Sequence, residues 1–218
     1  PNTGKTSFHA AIIASPHGFA EQGARCLVLC NEEPPKIVRA RYSCAGTGMI
    51  LKEQEANPSK ANMKYAKVKP NISLVDSTGE EMSWVETAIK TDKPDIVILD
   101  MGHKFAARTS DKTDVYLKDA AIHARNLAKQ YNCVIFWMTQ LSASAEGLAT
   151  PDQSMIEGSR TGLAAEADLM ILIAKNRVVE GAEMEDEERH LNIAKNKISG
   201  FHGRITCQLA GDIAQYTA

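Results

Sequence analysis

Three short apolar runs constrain this chain more than any other feature: CLVLC at 26–30, IVILD at 96–100 and CVIFWM at 133–138. None alternates apolar with polar residues, as a strand with one wet face would. Each therefore reads as a strand covered on both sides. Helical patterns separate them. PPKIVRARYSCAGTG begins with proline and ends with glycine, the asymmetry of a helix. EEMSWVETAIKTD reads as a second helix. KTDVYLKDAAIHARNLAKQY is the longest, with Val115, Leu117, Ala121, Ile122, Leu127 and Ala128 as its expected buried stripe. ISLVDS adds a short strand. Near the N-terminus, SFHAAIIASPHGFAEQG reads as a helix broken at Pro16. Strands alternating with helices predict an α/β fold with a mostly parallel, twisted sheet flanked by helices.

The last third changes character. DLMILIAKN is a strand, VVEGAEMEDEER an acidic connector, and HLNIAKNK and GRITCQLA pair around ISGFHG, so antiparallel strands are expected to extend the sheet at its C-terminal end. LKEQEANPSKANMKYAKVKPN is polar and partly helical at best, with Lys60, Lys64, Lys67 and Lys69 expected at the surface. The stretch 141–162 is a long polar loop, and such loops in a domain are usually functional.

Bulk properties narrow the function. The 218 residues suffice for one large domain over 1–218, and no apolar run approaches the roughly 18 residues of a membrane span. The five cysteines are odd in number and form no C-x-x-C pair, so they read as reduced core thiols of a cytosolic compartment. No histidine–cysteine spacing suggests zinc. A net charge of −2 offers nucleic acid no whole-protein attraction, so any such contact must come from local basic loops.

The opening PNTGKTS holds the end of G-x-x-x-x-G-K-[ST], the phosphate-cradling P-loop. Asn2, Thr3, Gly4, Lys5, Thr6 and Ser7 form the candidate cradle. Backbone N–H groups at a helix start would face the phosphates of ATP, Lys5 would reach the β- and γ-phosphates, and Thr6 would hold Mg²⁺. The pattern's first glycine and its leading strand would lie upstream of Pro1, so this chain is expected to be part of a longer protein. A bare G-K-[ST] arises by chance in about one chain in ten of this length, and decides nothing alone. Asp100 ends a buried strand, where ligands sit in open α/β sheets, and would bind the Mg²⁺ directly or through water. Glu32 and Glu33 end the preceding strand, and either could orient the attacking water; the bland alternative is that they favour the next helix start. Gln140, after the third run, could touch the γ-phosphate.

In order and spacing, Gly4–Lys5–Thr6, then Glu32, Asp100 and Gln140, each after a strand, resemble the RecA-like ATPases. The likeness is strongest to the motor domain of DnaB-type hexameric replicative helicases, especially those of tailed phages. GSRTGLAAEADLMILI is similar to the motif after the family's DNA-binding loop, with Ser159 and Asp168 in place. LNIAKNKISGFHG resembles its K-x-[RK]-x-x-G hairpin. The resemblance implies a RecA-like P-loop core, a homo-hexamer with Mg-ATP between subunits, single-stranded DNA in the channel, and a primase domain or primase partner. It implies no membrane, and the cytoplasm of a bacterium or phage-infected cell. It makes Glu32 the catalytic glutamate and Gln140 the γ-phosphate sensor. Lys195 and Lys197 become the pair reaching a neighbour's nucleotide. Many members have arginine at the second place, and lysine lacks its bidentate fork; Arg189 or Arg204 could substitute. The channel loops would offer Lys104 and Arg108, beside His103 and Lys112, and then Ser159 and Arg160. The expected function is an ATP-driven motor that translocates on single-stranded DNA and unwinds duplex. The alternatives are a RecA- or RadA-like recombination ATPase, a P-loop small-molecule kinase and a catalytically silent assembly module.

Overall fold

The computed structural model describes residues 4–108, 110–159, 161–175 and 187–217. Its centre is two of the apolar runs. Strands β1 (Cys26–Cys30) and β3 (Ile96–Asp100) are buried at every residue. They pair in parallel, Cys26 opposite Ile96 and Cys30 opposite Asp100. β2 (Ile72–Asp76) lies outside β1 and β4 (Val134–Trp137) outside β3, giving one four-stranded parallel sheet in the order β2-β1-β3-β4. Helices cover both faces, because unbroken apolar strands expose hydrophobic surface on each. On one side α1 (Lys5–Ala14) and α2 (Pro35–Thr47) bring Ile13, Val38 and Tyr42 against Val28 and Ile98. On the other, α5 (Met82–Asp92) and α6 (Thr113–Tyr131) bring Val85, Ile89 and Leu127 against Leu27, Leu29, Val97 and Leu99.

Between α2 and β2, the lysine-rich segment folds further than its composition suggests. It forms α3 (Leu51–Ala56) and α4 (Pro58–Tyr65), split at Pro58, which starts the second helix where its missing N–H costs nothing. Of its lysines, Lys64 is half-buried and donates to the Thr47 carbonyl at 2.7 Å. Two expectations fail on phase and on position in the sheet. Val115 is 42% exposed, because it precedes the buried Leu117 by two residues, about 200° round a helix turning roughly 100° per residue. β4 reads as an interior strand but pairs only with β3 and ends the ladder, with Val134 55% exposed.

After a short helix α7 (Gly162–Glu166), β5 (Leu169–Ala174), β6 (Glu188–Asn196), β7 (Gly203–Ala210) and β8 (Gln215–Thr217) form a second, antiparallel four-stranded sheet. The expected antiparallel strands are present, but they do not extend the first sheet. Among the described residues no ladder joins β4 to β5, and the two sheets meet through side chains. Trp137, Leu141 and Met170 pack around Ala121, Ile156 and Leu163. Most of the expected acidic connector lies outside the described residues. All five cysteines are buried and free. No helix among the described residues is long and apolar enough to cross a membrane.

Candidate functional site

α1 begins at a tight turn. Gly4 has φ 96°, in the left-handed region, and accepts from the Phe8 N–H at 2.7 Å. The turn has no room for a side chain: a Cβ on Gly4 would lie 2.7 Å from Tyr216 Oη and 2.8 Å from Leu209 Cδ2. The Tyr216 hydroxyl donates to Gly4 O at 3.0 Å, and its ring meets Phe8 edge-on at 5.7 Å. The last strand thus holds the start of the first helix, where unpaired backbone N–H groups and the positive end of the dipole suit a phosphate. Lys5, Thr6 and Ser7 are half-buried in this first turn. Asn2 and Thr3 lie outside the described residues.

Parallel register brings the carboxylates to the same place. Because Cys30 pairs with Asp100, Glu32 lies just past the strand end that Asp100 occupies. Asn31 locks these two ends together. Its N–H donates to Asp100 O at 3.0 Å, its Oδ1 accepts from the Met101 N–H at 2.9 Å, and its Nδ2 donates to Met101 O at 3.3 Å. Lys104 adds its ammonium to the Asn31 carbonyl at 3.2 Å. Lys5 Nζ donates to Met101 Sδ at 3.1 Å. Burial draws the Lys5 ammonium below its ordinary pKa, while Glu32, Asp100 and Glu157, in that order, pull it back up. Lys5 therefore lies amid three carboxylates, with Lys104 as a second cation in the same field. Glu33 is held instead by a two-point ion pair to Arg41, which separates the two adjacent glutamates: Glu32 faces the Lys5 field and Glu33 braces α2. His103, half-buried beside them, is drawn below its ordinary value by burial and then by Lys104.

Asp100 is the most unusual group. It is 1% exposed, yet neither carboxylate oxygen has a hydrogen bond. His9 Nε2, one helical turn beyond Lys5, stands 3.7 Å from Asp100 Oδ2, and His9 Nδ1 is 2.8 Å from the Tyr42 hydroxyl. A buried carboxylate with no hydrogen bond costs several kcal/mol unless something compensates it (of order 2–7 for a polar group). A cation would do so. Among the described residues, no three His, Cys, Asp or Glu side chains gather as an all-protein metal cage. Magnesium needs none, since it is commonly held by one or two carboxylates plus the phosphates of its nucleotide. The residues fit Mg-ATP, with Lys5 and the α1 start for phosphate and Thr6 and Asp100 for the ion.

The other candidates lie further out. Gln140 follows β4, and its carbonyl accepts from the Glu157 N–H at 3.0 Å, with Leu141 and Ile156 bridged alongside. The long loop is thereby tied to the sheet edge. Ser159 is 3% exposed; its hydroxyl donates to Asp114 at 2.8 Å and accepts from the Leu163 N–H at 3.1 Å. DNA contact through Ser159 requires this loop to move. Lys104 turns toward the nucleotide edge, Arg108 is exposed, and Arg160 lies outside the described residues. Lys195 donates to the carbonyls of Ala164 and Ala165, and burial with Lys197 alongside lowers its pKa. Lys197 pairs with Asp168 at 3.5 Å, which also receives Arg125 at 3.2 Å. Lys195 lies at the far end of β6 and Lys197 just past it. Glu188 pairs with Gln208, beside the residues that touch Gly4, and Lys195 lies about 24 Å further along at roughly 3.4 Å per residue.

Sequence reading passed over Asn31, His9, Tyr216 and Glu157. Asn31 carried a signal, being a polar residue directly between a buried strand and a glutamate. Tyr216 carried none, because its contact with Gly4 spans nearly the whole chain.

A match to the AAA domain family spans residues 1–145. The ATPase domain of a phage helicase superposes with a TM-score of 0.84 and 17% identity over 100% of this chain and 81% of its own. A DnaB-like replicative helicase, solved for its interactions with primase, superposes with a TM-score of 0.84 and 16% identity over 100% of this chain and 55% of its own. This chain thus spans about half of that helicase. No curated protein matches it. The fold is thus the RecA-like one. The chain belongs to the AAA domain family, and its fold is that of the ATPase domain of DnaB-type helicases.

Proposed function

We propose that residues 1–218 form the ATP-hydrolysing motor of a replicative DNA helicase, acting as a homo-hexameric ring on single-stranded DNA. The observation that carries this reading is the convergence of Lys5, Glu32 and the unpartnered Asp100 at one edge of the parallel sheet, with Lys195 and Lys197 held away from it. Lys5 and the α1 start bind the β- and γ-phosphates, and Thr6 and Asp100 hold Mg²⁺. When bound, the ion neutralises charge building on the transferring phosphoryl group. Glu32 takes the proton of the attacking water, and Asn31 holds Glu32 in register with Asp100. Gln140 contacts the γ-phosphate and passes its loss to the loop 141–162 through the Glu157–Gln140 hydrogen bond. Lys195, about 24 Å along β6 from the strand end nearest their own P-loop, and Lys197 beyond it serve a neighbouring subunit's nucleotide. Arg108 and Arg160 contribute channel contacts to DNA phosphates, and such contacts sum around a ring, which reconciles a net charge of −2 with a polyanionic ligand. A primase is the expected partner and a bacterial or phage-infected cytoplasm the setting.

The test is ATP hydrolysis against protein concentration, with and without single-stranded DNA, beside Lys5→Ala. Hydrolysis per subunit that rises with concentration and with DNA, and vanishes in the variant, is the expected result. A rate indifferent to both concentration and DNA removes the ring motor and leaves a self-contained phosphotransferase.

A further inference from the structure

We infer that His9 is a positioning residue for Asp100: a buried imidazole, held at Nδ1 by Tyr42, whose Nε2 faces one carboxylate oxygen and leaves the other for the metal. The inference rests on the Mg-nucleotide reading above. His9 is 0% exposed and lies on α1, so the same helix that carries Lys5 and Thr6 also carries this group to the sheet.

The ring's orientation follows from the neighbours. Tyr42 is fully buried on α2, and its hydroxyl lies 2.8 Å from His9 Nδ1, which leaves Nε2 turned to Asp100 Oδ2 at 3.7 Å. An N–H at Nε2 would point at the carboxylate. At 3.7 Å this is electrostatic alignment, just beyond a hydrogen bond. Burial makes it count, since both groups are shielded from water.

The arrangement resembles the outer partners of metal ligands in general, which orient a ligand without touching the ion and whose loss costs about 10- to 100-fold in metal affinity. The Asp100 carboxylate has no hydrogen bond, so His9 is the group available to fix its rotation. Cys30, also buried near the carboxylate, cannot take this role: its thiol is turned to the Val28 carbonyl at 3.9 Å.

The experiment measures Mn²⁺ binding, by electron paramagnetic resonance, to the protein saturated with a non-hydrolysable ATP analogue. Analogue affinity in EDTA is measured alongside. His9→Leu should weaken Mn²⁺ about tenfold and leave metal-free analogue affinity within about twofold, the split expected of a positioning group. His9→Gln, whose amide can present an N–H near the Nε2 position, should recover most of the loss. Tyr42→Phe, which frees the ring at Nδ1, should fall between. Unchanged Mn²⁺ affinity in folded His9→Leu overturns the inference. So does an equal loss of metal-free affinity, which would mark a purely structural role. Should His9→Leu not fold, His9→Gln and Tyr42→Phe decide: wild-type Mn²⁺ affinity in Tyr42→Phe overturns the role given to Tyr42. Wild-type protein that binds no Mn²⁺-nucleotide at all would overturn the nucleotide reading itself, and this inference with it.

Discussion

The carboxylate end of the parallel sheet and the hairpin end of the antiparallel sheet treat their charged residues in opposite ways, although the antiparallel sheet also buries Arg189 at 5% exposure. In the parallel sheet the key charge, Asp100, is sealed at 1% exposure and left without a hydrogen bond, with His9, Asn31 and Lys5 arranged about it. In the antiparallel sheet the cations sit at a hairpin end, with Lys197 exposed and paired to an equally exposed Asp168, beside a tip where Ile198 is 77% and Phe201 54% exposed. A helix-covered sheet can bury a charge because its strands need no water. A hairpin tip cannot, and so presents charge and apolar surface together.

The comparison breaks most sharply at the chemistry. Lys5→Ala should lower hydrolysis about a thousandfold or more, and Glu32→Gln about 10²- to 10⁴-fold with nucleotide affinity within a few-fold, by phosphate release and nucleotide titration. Glu33→Gln, on the Arg41 pair, should stay within about threefold, since it removes a half-exposed ion pair and no reacting group. Equal losses at the two glutamates would erase the distinction drawn between them. Stability separates the regions next. Leu99→Ala, at 0% exposure, should cost about 2–5 kcal/mol in urea unfolding, against about 0.5 kcal/mol or less for Ile198→Ala at the tip. Gly4→Ala should cost about 1–3 kcal/mol and weaken nucleotide, because φ 96° and the 2.7 Å approach of Tyr216 both resist a Cβ.

Subunit mixing tests the outer region. Lys197→Ala alone should reduce ring hydrolysis about tenfold with nucleotide affinity unchanged, and mixing it with Lys5→Ala should raise activity per subunit above that of either variant alone. No recovery on mixing would place Lys197 outside the neighbour's site. The smallest effect concerns pH. Burial, with Asp95 near Cys26 and Asp100 near Cys30, pushes both thiols from 9.0 up to about 12. Above pH 9.0 the unfolded chain releases protons that the folded chain keeps, so their contribution to stability falls as pH rises toward 12. Urea midpoints from about pH 8 upward, compared with Cys30→Ala, would show a shallower alkaline decline in the variant.

Much of this was legible in the chain itself. CLVLC and IVILD are apolar without interruption up to their last residue, which forces covered parallel strands, and Lys5, Glu32 and Asp100 follow at the strand and helix ends where such sheets place ligands. Local pattern was enough because periodicity reports which faces must be dry. It misjudged VIFW, since an apolar run does not say whether a second strand will pair beside it. It also misjudged Val115, where one apolar residue fell out of phase with the stripe. Fold class and the order of the candidate site residues along the strand and helix ends were thus determined by sequence alone. Tertiary structure decided the rest: that the antiparallel strands form their own sheet, that Asn31 clamps the two carboxylate-bearing strand ends, that Tyr216 holds Gly4, and that His9 and Tyr42 close around Asp100. Those contacts join residues up to 212 positions apart. Spacing along a chain encodes what is local, and only packing brings such distant groups within hydrogen-bonding range.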